Sequence, residues 1–187
     1  SSRDVSLEGM PDEAETVPHH TGGGNALADA VEWLLRGGAD VEALVGAVVR
    51  AAARMSDRSS FAREWATAGE LQDGFPGDPG IVVSLLMHRV TLRVGESMYL
   101  PAGNIHAYLD GLGIELMAPS DNVLRGGLTP KHVDVPELLH VLDFTAYPAP
   151  VLEPEHLAPG VDRFAPDGVG FALVRVTGDG GPVGLGT

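Results

Sequence analysis

Apolar residues recur at helical spacing in the first part of the chain and then change period. Three stretches repeat apolar positions every three or four residues: 25–36, 41–55 and 59–75. Asp40 is a natural N-cap for the second of them. Three helices in about fifty residues predict a small helical domain over 25–76. The preceding residues, 1–24, are polar and rich in glycine, and they predict a loop.

Beyond residue 76 the pattern favours strands. Residues 81–94, "IVVSLLMHRVTLRV", are rich in β-branched side chains, and Val90, Leu92 and Val94 alternate with polar residues, so we expect one wet face. Further short strands are predicted at 97–101, 105–109, 113–117 and 170–177. Asp134 is the expected cap of a short helix. Short strands joined by Gly/Pro turns are typical of a β-barrel or jelly roll.

The fold class is therefore α+β, with a small helical domain followed by part of a β-barrel or jelly roll. A proline-rich stretch, 146–166, predicts a connector. The chain has 187 residues and no cysteine, so any metal site must use His, Asp, Glu or Gln. A net charge of −14 argues against a general nucleic-acid or membrane surface, although a small basic pocket for a phosphorylated metabolite is compatible with it. Without a signal peptide or an apolar span, a cytoplasmic location is expected.

One histidine stands where a turn can aim it at a barrel interior. In "RVGESMYLPAGNIHAYL", residues 93–109, the turn from Pro101 to Gly103 precedes His106 by three residues. A neutral imidazole in a partly dry barrel is a good zinc or iron ligand. The alternative is an ordinary histidine that is hydrogen-bonded at the rim.

The spacing itself resembles a known motif. Gly95, five residues, Pro101, one residue, Gly103, two residues and His106 is similar to the second motif of the cupin superfamily, in which this His is a metal ligand. Asp110 stands where the motif usually has Asn. The longer run "PAGNIHAYLDGLGIELMAPSDNVLRGGLTPKHVDVPELL", 101–139, resembles the signature region of type I phosphomannose isomerases, also called mannose-6-phosphate isomerases.

The resemblance implies a fold and an activity. Residues 77–147 would be the second half of a cupin-type catalytic jelly roll, and 148–187 a linker with the start of a C-terminal β domain. The family interconverts mannose 6-phosphate and fructose 6-phosphate with one Zn²⁺. His106 matches its last zinc ligand and Arg125 its active-site arginine. The other matched residues that line the pocket are Tyr108, Glu115, Asp121 and Lys131.

These residue types suit an aldose–ketose isomerisation through an enediol(ate). Zinc can polarise the substrate oxygens, and a fixed guanidinium such as that of Arg125 can stabilise the charge on the enediolate. A base must move the proton between C1 and C2. Lys131, Glu115 or a group upstream could be that base. An Arg or Lys at the pocket mouth would hold the phosphate of the hexose 6-phosphate.

Each matched residue also has a plainer interpretation. Asp121 and Arg125 are four apart and could form a helical ion pair, or Asp121 could cap a turn. Glu115 could be an outward strand residue. Tyr108 could be an amphipathic barrel residue, and Lys131 could be solvated.

The sequence lacks the other zinc ligands that the resemblance implies, namely a Gln-x-His pair and a Glu. The only glutamine, Gln72, has no His two residues later. We therefore expect the central part of such an enzyme, inactive or nearly so alone, with a partner fragment or a homodimer covering its open strand edges. The alternatives are a metal-free module that binds sugar phosphates, a structural fragment, and a related cupin isomerase with a different sugar.

Overall fold

Helices dominate the first part of the fold, and short strands lie in the later part. The computed structural model describes residues 25–55, 59–119, 123–146 and 148–178. The predicted loop, 1–24, lies outside these ranges. The helices are α1 Ala26–Arg36, α2 Ala39–Met55, α3 Ala62–Gly74, α4 Gly80–Ser84 and α5 Val135–Val141. The strands are β1 Ser97–Met98, β2 Val151–Leu152, β3 Glu155–Ala158, β4 Val161–Phe164 and β5 Leu173–Val176.

The three predicted long helices are confirmed as α1, α2 and α3. Their apolar faces form one core, whose buried members are Leu34, Val41, Val45, Ala52, Ala68, Leu71, Ile81, Val82 and Val83. The side chain of Asn25 caps α1 by accepting a hydrogen bond from the Leu27 N–H at 3.1 Å. The prediction that Asp40 caps α2 is wrong, because the helix begins one residue earlier. Asp40 therefore lies in the first turn, where its charge suits the helix dipole.

The predicted strand over 81–94 is also wrong. Its first residues form α4, and Ile81, Val82 and Val83 are all buried. Three consecutive buried side chains suit a short helix surrounded by α1, α2 and α3, and this packing overrides their β propensity. The rest of this stretch does not form the expected polar and apolar faces, since Val94, which was expected on the apolar face, is fully exposed.

Two antiparallel sheets lie in the rest of the described chain. β1 pairs with β2, and β3, β4 and β5 form a three-stranded meander in that order. Strands β2, β3 and β4 therefore lie in the stretch that we predicted as a connector. The strand predicted at 170–177 is confirmed as β5, and β4 is its partner. The predicted strands at 105–109 and 113–117 are not strands, because no described segment pairs with their backbone.

The structure confirms the α+β class, whereas the jelly roll and the domain boundaries remain predictions. α5 begins as expected, with the Asp134 carboxylate accepting a hydrogen bond from the Glu137 N–H at 3.1 Å. α5 packs against α1, which joins the site-bearing segment to the helical core. No helix within the described ranges is long and apolar enough to span a membrane.

Candidate functional site

The turn before His106 requires glycine at one position. Gly103 has φ +79°, and a Cβ atom there would lie 2.7 Å from the carbonyl oxygen of Val141. The Gly103 carbonyl accepts a hydrogen bond from the Asp143 N–H at 3.0 Å. The turn is therefore seated on the end of α5, and this contact fixes the direction in which the chain leaves towards His106.

The imidazole of His106 has a defined tautomer when it is neutral. Its Nδ1 lies 3.0 Å from the carbonyl oxygen of Asn104. A carbonyl can only accept, so Nδ1 carries the proton and Nε2 keeps its lone pair. A backbone carbonyl that orients a histidine in this way is a common second contact of metal-binding imidazoles.

Three predicted site residues lie together. The rings of His106 and Tyr108 meet edge to face, with centroids 6.1 Å apart and an angle of 82° between the planes. The Glu115 carboxylate lies near the Tyr108 hydroxyl. Partial burial of the phenol, together with that nearby carboxylate, raises the pKa of Tyr108. Glu115 is exposed and lies beside Tyr108, so it shares one local cluster with the other two residues.

The loop that follows Arg125 is anchored from the helical side. The Asp78 carboxylate accepts one hydrogen bond from the Gly80 N–H at 2.7 Å and another from the Leu128 N–H at 3.0 Å. Gly127 has φ +111° and Leu128 has φ +51°, so the turn is tight and Leu128 is strained. The hydrogen bond to Asp78 holds this turn across fifty residues of sequence, and no motif predicts the contact.

The two predicted cationic site residues are exposed. Arg125 forms no ion pair with the described residues. The backbone N–H of Lys131 donates a hydrogen bond to Thr129 Oγ1 at 3.2 Å, but this bond does not involve the Lys131 side chain. Asp121 lies outside the described residues, so an ion pair between it and Arg125 stays a prediction. The structure therefore joins His106, Tyr108 and Glu115 to each other, but it shows no direct contact from them to Arg125 or Lys131.

A groove of about 190 Å³ runs beside His106. Helices α3 and α4 contribute one set of lining residues, including Glu64, Thr67 and Val83. The segment around His106 and the glycines that follow Arg125 contribute another. Ile105 packs closely on Gly126, since a Cβ atom there would lie 2.7 Å from Ile105 Cδ1 and would displace the end of that side chain. The groove places His106 and the Arg125 loop around one space.

The described residues do not fit a complete zinc site. Within 25–55, 59–119, 123–146 and 148–178 no group of three His, Asp or Glu side chains is placed to hold a metal ion. His106 alone would supply one ligand, where a tight zinc site uses three or four. Any zinc held at His106 would need ligands from elsewhere.

A second polar cluster secures the turn that begins the motif. Asp162, buried in β4, accepts hydrogen bonds from His156 Nδ1 at 2.5 Å and from Arg175 Nε at 3.0 Å. Arg175 also donates to the carbonyl of Gly95 at 2.5 Å and lies over the Phe164 ring. These hydrogen bonds, that of Arg175 above all, lower the pKa of Asp162. The C-terminal sheet is thereby fastened to the Gly95 turn.

Comparison with known proteins shows what the chain is similar to. No protein-family model matches it. Mannose-6-phosphate isomerase of Escherichia coli is 42% identical over 112 residues, which cover 58% of this chain and 29% of the relative. The enzyme of the same name from Salmonella typhimurium is 47% identical over 85 residues, 46% of this chain and 22% of the relative.

A solved structure agrees with these relatives. A mutant of phosphomannose isomerase from Salmonella typhimurium superimposes with a TM-score of 0.63 and 33% identity, covering 74% of this chain and 35% of that chain. The chain therefore resembles part of a sugar-phosphate isomerase. The resemblance to phosphomannose isomerase seen in residues 101–139 is confirmed, although the chain spans less than a third of the E. coli relative.

Proposed function

We propose that this chain carries part of the active site of a mannose-6-phosphate isomerase, which interconverts mannose 6-phosphate and fructose 6-phosphate. The observation that carries the proposal is the 42% identity to an enzyme of that name. The contact series from His106 through Tyr108 to Glu115 adds chemical support. We assign the relatives' activity to this chain only because of that similarity. We also propose that residues 77–147 form one half of a cupin-type barrel.

The residues of this chain suit particular steps of the isomerisation. Arg125 is exposed beside the groove, and its guanidinium would stabilise the enediolate oxygen. Glu115, whose carboxylate lies near the Tyr108 hydroxyl, is the candidate base that would move the proton between C1 and C2. Lys131 has no side-chain contact with the described residues that would fix it for this role.

Zinc enters the proposal through His106 alone. Its Nε2 lone pair is the donor that this chain would offer, and zinc would polarise the substrate oxygens when it is bound. The described residues supply no further ligand set, so the remaining ligands would have to come from outside them. We expect the 187-residue chain by itself to show no turnover, a result that would also suit a module that only binds sugar phosphates.

A segment exchange distinguishes a site fragment from a binding module. The 112 matched residues of this chain would replace their counterparts in the E. coli enzyme, and the chimera would be assayed with mannose 6-phosphate in a coupled isomerase assay. We expect turnover, because the rest of the E. coli enzyme supplies the parts of the active site that this chain lacks. Arg125→Ala in the chimera should lower kcat by about 10²–10³-fold, the usual effect of removing one oxyanion-stabilising donor.

Controls separate chemistry from folding. Lys131→Ala should change kcat less than Glu115→Gln if Glu115 is the base. Far-UV circular dichroism and zinc content would confirm that each chimera is folded and loaded. A folded, zinc-loaded chimera without turnover would contradict the proposed function.

A further inference from the structure

A half-buried guanidinium, that of Arg89, lies in the same groove as His106. Its Nε donates a hydrogen bond to Thr67 Oγ1 at 2.8 Å, and Thr67 is only 5% exposed. The same hydroxyl donates to the carbonyl oxygen of Arg63 in α3 at 3.0 Å. Helix α3 therefore anchors Arg89 through Nε, and its two terminal nitrogens are left for another partner.

No acidic group neutralises this cation within the described part of the chain. The ion pairs there join Arg36, Arg163, Arg175 and His156 to carboxylates, and none includes Arg89. Glu64 lines the same groove but forms no ion pair with Arg89. Charges that are partly withdrawn from water are normally paired, and this chain has an excess of acidic groups with which to pair one. The terminal nitrogens of Arg89 are therefore open to an anion in the described part of the chain.

We propose that Arg89 binds the phosphate group of the substrate in the groove beside His106. A guanidinium offers two parallel N–H groups that match phosphate oxygens, and an anchored Nε leaves such a pair directed together. The identity of the ligand as a sugar phosphate rests on the proposed function. The presence of an anion site rests on Arg89 and its groove alone. Sequence reasoning placed Arg89 on the wet face of a strand, and so missed it.

The test is an NMR titration of the ¹⁵N-labelled 187-residue chain with mannose 6-phosphate, inorganic phosphate and mannose in turn. We expect the first two to shift the Arg89 Nε–H resonance, mannose 6-phosphate to bind more tightly than inorganic phosphate, and mannose to have no effect. Arg89→Gln should weaken binding about 10- to 100-fold, the loss expected for a charge-assisted hydrogen bond.

Matched variants make the result specific. Arg63→Gln removes the same charge from α3, together with a hydrogen bond to Thr91, but Arg63 does not line the groove, so binding should be unchanged. Glu64→Gln removes a repulsive charge from the groove and should tighten binding. The inference is overturned if the wild type binds neither anion, if Arg63→Gln weakens binding as much as Arg89→Gln, or if mannose binds equally well. If Arg89→Gln does not fold, a Glu64→Gln variant without tighter binding overturns it as well.

The two proposals fail separately. If Arg89→Gln binds mannose 6-phosphate as tightly as wild type and the chimera is active, the role of Arg89 is refuted and the isomerase assignment stands. An inactive, folded chimera alongside phosphate binding that depends on Arg89 refutes the isomerase assignment and leaves an anion site.

Discussion

Replacing Asp78 by alanine should loosen the Arg125 loop and destabilise the fold. The substitution removes the acceptor for two backbone N–H groups, those of Gly80 and Leu128. A hydrogen bond to a charged acceptor contributes about 1.5–3 kcal/mol, and the half-exposed position of Asp78 places each bond near the lower end. We therefore expect a loss of about 2–4 kcal/mol in the free energy of unfolding. For a chain of this size that lowers Tm by at least about 4 °C.

Urea unfolding followed by far-UV circular dichroism measures the loss, and hydrogen exchange at the Leu128 amide locates it. Asp78→Asn keeps one carbonyl oxygen and should lose about half as much. Asp73→Ala removes an exposed carboxylate from α3 that has no hydrogen bond to the described residues, and it should stay within about 0.5 kcal/mol of wild type. The reasoning is refuted if Asp78→Ala matches Asp73→Ala in stability, or if exchange at Leu128 does not accelerate.

Two further substitutions test packing and charge. Gly126→Ala should cost less than about 1 kcal/mol, because the atom that its Cβ would approach to 2.7 Å is the terminal Cδ1 of Ile105, which can turn away; urea unfolding of the double variant with Ile105→Val, which lacks that atom, should show that the two changes are not additive. Folding lowers the pKa of Asp162 below its unfolded value of about 3.8. The ionised carboxylate therefore stabilises the fold when the pH is above that unfolded pKa, and this contribution is lost as the pH falls through the lower folded pKa. Thermal unfolding of Asp162→Asn should therefore depend less on pH below about 4 than that of wild type, and equal slopes would contradict the assigned cause.

Periodicity was enough to predict the helices, because their apolar faces meet one another in a local core. It failed at 81–84, where Ile81, Val82 and Val83 carry a strand-like composition but lie between helices. Burial on all sides gives a short helix and a buried strand the same unbroken apolar pattern. The strands in the proline-rich stretch were missed for the opposite reason: β3 is exposed throughout, so it offers no alternation to detect.

For the candidate site, the residues that sequence reasoning placed together are close in the chain. His106 and Tyr108 are two apart, and a bend at 110–111 brings Glu115 back beside them. The contacts that position the cations are long-range instead. Asp78 reaches Leu128 across fifty residues, and Thr67 reaches Arg89 across 22. No motif spans such distances, so these contacts require the fold.

Both long-range contacts originate in or next to the helical unit, so this unit positions other segments of the chain. Thr67 belongs to α3, and Asp78 lies two residues before the start of α4. Each fixes a segment that carries an arginine: Arg89 through its own Nε, and Arg125 through the loop that ends at Leu128. A guanidinium that must meet an anion at a set distance loses less entropy on binding when its stem is already held. Under the proposed function the helical unit would therefore do more than cover the site, because it holds the two arginine-bearing segments that would meet the phosphorylated substrate.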